Sequence, residues 1–304
     1  MVGFKNIVES NARFASGQHA GQVCVFAGAT SGIGYGTLRR FVNMLQSSTF
    51  YVLGRSEERF ATKLSELRAS APTNKIVFVD CQVSLIREID QACTKIASVE
   101  TKVDYLCMSP GGMPFQGAVY TDEGLEECFA VSYYSRARIL SNLLPLIHQS
   151  PKARVLSILN GTKEKRINEQ DIGLAFDYLS ANESPKQTVF IHATPGFVNT
   201  GTPRTSYPSK KNGIFWWALT SAIQVVSGWI IVYFGKSLSE SGERHAYLLS
   251  TDPISSGSWR TNKENDVVPD NKALKYYHER NWGETIWNHT TQVWEAALGR
   301  SSSA

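Results

Sequence analysis

The sequence predicts an α/β fold: a doubly wound parallel sheet followed by a C-terminal apolar lid and helical extension. Three observations carry this prediction. Short apolar runs alternate with amphipathic helical segments over the first two-thirds of the chain. A glycine-rich turn joins the first run to the segment after it. The runs lack the polar alternation of a half-solvated sheet, which is the pattern of strands covered on both faces.

The elements follow in order. Residues 1–20 form a short helical lead-in ending in a glycine-bearing turn. Val23–Ala27 is the first strand, and 34–47 a helix. Phe50–Leu53, Ile76–Val79 and Val103–Cys107 are the next three strands, with helices over 56–70 and 85–99 between them. A long helix covers 122–148, its apolar side marked by Leu125, Phe129, Ile139, Leu143 and Leu146. Arg154–Leu159 and Val189–Ala193 are the fifth and sixth strands. After Pro195 the texture changes. Residues 200–213 are loop-like, 214–234 are free of charge, 240–250 are helical, 252–272 polar and irregular, and 283–298 a last helix. The expected organisation is a lead-in (1–20), a sheet domain (21–200), and a lid with helical extension (201–304), either within the same domain or appended to it.

Composition narrows the function classes. The chain has 304 residues and a net charge of +4, with no basic tract dense enough for nucleic acid. Its five cysteines form no C-x-x-C pair, and Cys24, Cys81 and Cys107 fall in or beside strands as small hydrophobes. An odd count at such spacing points to a reducing compartment. The first residues have no apolar run of the signal-peptide kind. A cytoplasmic protein is expected, and no residue is assigned to a metal.

The strongest motif is C-V-F-A-G-A-T-S-G-I-G, residues 24–34. Gly28, Gly32 and Gly34 sit where a strand must turn sharply into a helix, whose N-terminal amides and dipole attract an anion. Ser31 adds a hydroxyl and Ile33 a backbone amide. Strand before, helix after and βαβ units downstream are the context of a dinucleotide pyrophosphate site. The second strand ends Y-V-L-G-R-S, with Arg55 where an NAD site would carry an acid. A guanidinium there pairs with a 2′-phosphate, so NADP(H) is the expected cofactor; the bland alternative is a solvated Arg at a helix start.

These residues resemble the short-chain dehydrogenase/reductase family, whose dinucleotide domain is a Rossmann fold. The glycine turn matches at Gly28, Gly32 and Gly34, and the adenine-contacting Asp at Asp80. After the fourth strand M-S-P-G replaces N-N-A-G, keeping Gly111 and placing Ser109 in an Asn position. H-A-T-P-G-F-V-N-T, residues 192–200, matches the segment that folds over the nicotinamide, at Pro195, Gly196 and Thr200, with Val198 between them. S-N-A-R near the start and E-S-G-E-R-H at 240–245 extend the resemblance toward fungal reductase-like members. The resemblance implies hydride transfer between nicotinamide C4 and a carbonyl.

The pattern breaks at the catalytic residues that the family supplies. Ser132 stands in the Asn position of the long helix, and Asn160 in the Ser position after the fifth strand. An Asn amide can donate to a carbonyl oxygen, although Asn-Gly is also a favoured turn. Tyr178 is the nearest match to the Tyr, but Asn182 replaces the Lys four residues on; Lys163 and Lys165 are the other cations on this segment. Without a cation a phenol stays near pKa ~10. Only 34 residues separate Asn160 from Pro195, too few for the family's loop and full helix.

Ile214–Phe234 leaves three readings open: an apolar lid or core segment, a membrane-associated helix, or a span. A lid implies an apolar substrate, such as a polyketide, terpenoid or retinoid-like carbonyl. For function the sequence admits an NADP-dependent oxidoreductase of secondary metabolism, a redox-inactive cyclase or isomerase, and a non-catalytic NADP-binding protein. The shortened helix, which usually forms the dimer interface, leaves the oligomeric state open.

Overall fold

The computed structural model describes residues 2–17, 19–111, 118–159, 187–200 and 235–301. Seven parallel strands form one sheet in the order β3-β2-β1-β4-β5-β6-β7. They are β1 (Val23–Ala27), β2 (Thr49–Gly54), β3 (Lys75–Asp80), β4 (Tyr105–Met108), β5 (Arg154–Ile158), β6 (Val189–Ala193) and β7 (Gly257–Thr261). The helices are α1 (Phe4–Ser16), α2 (Gly32–Phe41), α3 (Glu57–Ser70), α4 (Ile86–Ala97), α5 (Ser135–Ile147), α6 (Leu238–Ser250), α7 (Lys272–His278) and α8 (Trp282–Ser301). The fold is the doubly wound α/β fold read from the sequence.

Alternation along each strand builds two cores. On β1 and β2, Val23, Val25, Ala27, Tyr51 and Leu53 face α4, α5 and α8. Cys24, Phe26, Phe50 and Val52 face α2, α3 and α6. All five residues of β1 are buried, as a strand covered on both faces requires. The second layer is tight because two helices meet glycine to glycine. A Cβ on Gly36 of α2 would lie 2.8 Å from the Leu238 carbonyl oxygen, and one on Gly242 of α6 would strike the Gly36 carbonyl. The lead-in helix is held to α6 by buried Asn11, whose amide donates to the Glu243 carbonyl (2.9 Å) and carboxylate (2.6 Å).

Several boundaries differ from the sequence reading. The helix expected over 34–47 ends at Phe41; Ser47 takes a left-handed φ of 46° and Gln46 bridges to Ala20. The helix expected over 122–148 starts only at Glu127, because Gly124 has a φ of 74° and Thr121–Leu125 closes a turn. Residues Ala130–Tyr134 then form a π-helical turn before α5. The 252–272 stretch is not irregular throughout: β7 pairs with β6 from Val189↔Gly257 to Ala193↔Thr261. Its sequence, G-S-W-R-T, lacks the apolar run that marked the other strands, because it lies at the sheet edge. The α7 helix was also missed; Asn271 caps it, accepting from the Ala273 and Leu274 amides.

All five cysteines are free thiols. Burial pushes Cys81, Cys93 and Cys107 up to about 12, and Cys24 upward as well. They act as core hydrophobes rather than nucleophiles. Among the described residues no helix is long and apolar enough to cross a membrane. Ile214–Phe234 lies outside those residues.

Candidate active site

The site is built at the carboxyl edge of the sheet, where the strand order reverses between β1 and β4. The three glycines of the β1–α2 turn have different neighbours. Gly28 has a φ of 73°, and a Cβ there would lie 2.5 Å from the Pro110 nitrogen. A Cβ on Gly34 would lie 2.5 Å from the Gly28 carbonyl oxygen and collide with the Ser109 hydroxyl. These two glycines let the chain after β4 pack against the turn. Gly32 differs. Its φ is 59°, and among the described residues a Cβ would meet only the Thr200 side chain, at 3.6 Å. Gly32 is therefore the glycine that leaves room for a ligand at the helix N-terminus. The Ser31 side chain does not cap α2, so it leaves the first-turn amides to an anion. Ile33 packs into the second core. A pyrophosphate fits this turn on the observation at Gly32 alone.

Ser109 is engaged structurally. Its amide donates to the Ala27 carbonyl (3.0 Å) and its hydroxyl to the Gly28 carbonyl (3.0 Å). Gly111 is exposed beside the end of β5: a Cβ would lie 3.6 Å from Leu159 Cδ1.

The β2 end carries the predicted cation. Arg55 is exposed and, among the described residues, has no carboxylate partner. A Cβ on Gly54 would lie 2.6 Å from the Thr30 methyl, so Arg55 follows a residue packed on the glycine turn. The sequence reading missed a second cation here. Lys63 of α3 donates to the Thr30 carbonyl (3.2 Å), and its ammonium lies 4.6 Å from the Tyr35 ring centroid. Its spacing on α3 resembles that of any surface lysine, so only the fold reveals it. Asp80 ends β3 opposite Gly54, exposed at the same corner.

The segment after β6 closes the other side. Gly196 takes a φ of 69°, and a Cβ there would lie 3.0 Å from Lys263 Cβ. Val198 is buried and bridges to Lys236, and the Asn199 amide donates to the Lys236 carbonyl (2.8 Å). Pro195 is half-buried, Phe197 is 67% exposed, and Thr200 reaches Gly32. The fold thus brings Gly28, Ser31, Gly32, Ile33, Gly34, Arg55, Asp80, Ser109, Gly111, Pro195 and Val198 to one edge of the sheet.

Asn160 and Tyr178, with Lys163 and Lys165, lie outside the described residues. Ser132 lies in the π turn, its hydroxyl 4.0 Å from the Cys128 thiol. π turns interrupt helices often at functional sites.

The largest surprise is Arg136, fully buried on α5. One terminal nitrogen donates to the Met108 carbonyl (2.8 Å) and the Ser157 hydroxyl (2.7 Å). The other donates to the Ile158 carbonyl (2.9 Å) and to the Pro110 carbonyl. Burial pushes its pKa down to about 9. The signal was present in the sequence, because Arg136 shares a helical stripe with Ile139, Leu140 and Leu143 and so had to point inward.

Residues 22–169 match the family model described as short chain dehydrogenase. An oxidoreductase of Emericella nidulans is 31% identical, with an alignment covering 99% of this chain and all of the relative. The chain belongs to the short-chain dehydrogenase/reductase family. This is a family of NAD(P)-dependent oxidoreductases. The alignment runs over 343 positions for a chain of 304 residues, so the Emericella nidulans relative has residues with no counterpart here. An oxidoreductase of Aspergillus flavus is 28% identical over 99% of both chains. Among solved structures, an L-sorbose reductase of Gluconobacter frateurii, complexed with NADPH and L-sorbose, superposes with a TM-score of 0.61 at 15% identity. The match covers 84% of this chain and 99% of the reductase.

Proposed function

We propose that this short-chain dehydrogenase/reductase uses NADP(H) to interconvert an apolar carbonyl compound and its alcohol, as a tailoring step in secondary metabolism. The observation that carries the cofactor choice is the β2 end, where Arg55 and Lys63 flank the glycine turn. Two cations there suit a 2′-phosphate, and an NAD site would instead present an acid to the ribose hydroxyl. The NADPH bound by the L-sorbose reductase supports the same reading.

The dinucleotide, when bound, supplies the hydride that goes from nicotinamide C4 to the carbonyl carbon. The chain's own residues do the rest. Gly32 and the α2 N-terminus hold the pyrophosphate, Arg55 and Lys63 the 2′-phosphate, and Asp80 the adenine. Pro195 to Val198 cover the nicotinamide side. Asn160 is assigned as donor to the carbonyl oxygen and Tyr178 as the proton source. Exposed Phe197 beside this segment and the charge-free stretch 214–234 support an apolar substrate.

A redox-silent cyclase or isomerase stands as the second reading, favoured by Asn182 in the place of the family's Lys and by the residues lacking relative to the Emericella nidulans protein. The experiment is to incubate the protein with NADPH and a panel of apolar ketones, following nicotinamide absorbance and product together. Consumption of NADPH in step with alcohol formation supports the oxidoreductase. Product without NADPH consumption establishes the second reading and overturns the first.

A further inference from the structure

The adenosine end of the cleft lies over β2 and β3, and the pyrophosphate turn over β1. By its length, a dinucleotide laid across this edge places its nicotinamide over β4 and β5. Arg136 ties the carboxyl ends of these two strands together. Its four acceptors are the last residue of β4 (Met108), the second residue beyond it (Pro110), and the final two residues of β5 (Ser157 and Ile158). Pro110 in turn packs on Gly28. All four acceptors are neutral carbonyls or a hydroxyl. Among the described residues no carboxylate pairs with the guanidinium, and its Nε is buried without a hydrogen-bond partner. The titratable group in its electrostatic surroundings is Cys107, whose thiol burial keeps protonated and neutral.

Burying a cation without a counter-ion is costly, and hydrogen bonds to four neutral acceptors offset only part of that cost. The uncompensated charge acts on whatever binds at this edge. Oxidised nicotinamide carries a positive charge that reduced nicotinamide lacks. A buried cation at the ends of β4 and β5, away from water, would repel an oxidised nicotinamide bound over them more than a reduced one.

We propose that Arg136 is a positioning and specificity residue that makes the site discriminate between the two redox states of its cofactor, favouring NADPH over NADP+. This inference rests on the NADP(H) reading above and adds to it a preference between the two redox states of the cofactor. The site holds the reduced form more tightly than the oxidised form. Tighter binding of the reduced form also raises the reduction potential of the bound couple, by about 30 mV for each tenfold difference in affinity.

The test is to measure the affinities of NADPH, NADP+ and adenosine 2′,5′-bisphosphate, which lacks nicotinamide, for the wild-type protein, Arg136→Gln and Arg136→Lys. Gln keeps a donor to the carbonyls and removes the charge; Lys keeps the charge. The expected result is that wild type binds NADPH at least about tenfold more tightly than NADP+. In Arg136→Gln that ratio falls about tenfold with bisphosphate binding unchanged, and in Arg136→Lys it stays near wild type. Ser157→Asp provides a second route should Gln fail to fold, since a carboxylate placed against Arg136 neutralises it and lowers the ratio in the same way. An unchanged ratio in Arg136→Gln, or in Ser157→Asp where Gln does not fold, overturns the role of Arg136 and leaves the NADP(H) reading standing. Failure of wild type to bind either dinucleotide or the bisphosphate removes the NADP(H) reading itself, and this inference with it.

Discussion

The two halves of the cleft are built on different principles. The β1–β3 half is local: a glycine turn, a helix N-terminus and two cations, each next to the chain segment that positions it. The β4–β6 half is non-local. Its floor is tied by Arg136 on α5, reaching 28 residues back to Met108 and 22 forward to Ile158. Its far wall, Pro195–Val198, is pinned by Lys236 and Lys263. In the local half the two cations lie within one chain segment, from the glycine turn to α3, whereas the non-local half depends on strands and helices far apart in sequence. A substitution in the first half should therefore act through one contact, and a substitution in the second should disturb several strands together.

The contrast is sharpest within the glycine turn. Gly28→Ala forces a φ of 73° on a residue with a Cβ and drives it onto the Pro110 backbone. It should destabilise the fold by about 3 kcal/mol or more, a loss read by denaturant unfolding. Gly32→Ala meets only an ordinary contact with the Thr200 side chain among the described residues, so its stability cost should stay near 1 kcal/mol, set by its φ of 59°, while dinucleotide affinity falls at least about tenfold. Equal losses of stability in the two variants would erase the distinction between a packing glycine and a ligand glycine.

A second contrast concerns pH. His245 of α6 is buried, its Nδ1 2.7 Å from the Ser241 carbonyl, and burial lowers it to about 4, with Lys236 and Arg244 adding to the effect. An unfolded imidazole takes its proton near 6.5. Between those values the unfolded chain binds more protons, so stability should fall as pH drops from about 6.5 toward 4, by up to about 1.4 kcal/mol per pH unit. Thermal unfolding of His245→Asn should show a flatter profile in that window. An identical slope in wild type and variant would contradict the burial argument.

The smaller effects lie at helix ends. Glu123 is fully buried and accepts from the Ile86 (2.6 Å) and Arg87 (3.0 Å) amides at the start of α4, where Leu85 provides no cap of its own. Glu123→Ala should cost about 2 kcal/mol in chemical denaturation without changing cofactor affinity. Lys63→Ala should weaken NADPH a few-fold, about 1 kcal/mol, and leave NADH as it was. A matched loss for both cofactors would remove Lys63 from the phosphate corner.

The same division explains what the sequence made legible. Strands β1 to β6 were readable because each is an apolar run bounded by turn residues, and Gly28, Gly32 and Gly34 because a strand-to-helix turn demands glycine. The edge strand β7 was not readable, since solvent on its outer side removes the apolar pattern. Lys63 was hidden because its role depends on α3 packing beside Thr30. Arg136 carried a signal that helical periodicity could have found, but its partners lie on two strands that only the folded sheet brings together. Ser109, at the same edge, donates its hydroxyl to the Gly28 carbonyl, a contact that no spacing encodes.

The most direct test is a titration of wild type and Arg55→Ala with NADPH and with NADH, followed by nicotinamide fluorescence. Wild type should prefer NADPH by at least about tenfold, and Arg55→Ala should lose that preference while its NADH affinity holds. Equal affinity of wild type for the two cofactors, or a ratio unchanged by the substitution, would contradict the assignment of this corner to the 2′-phosphate.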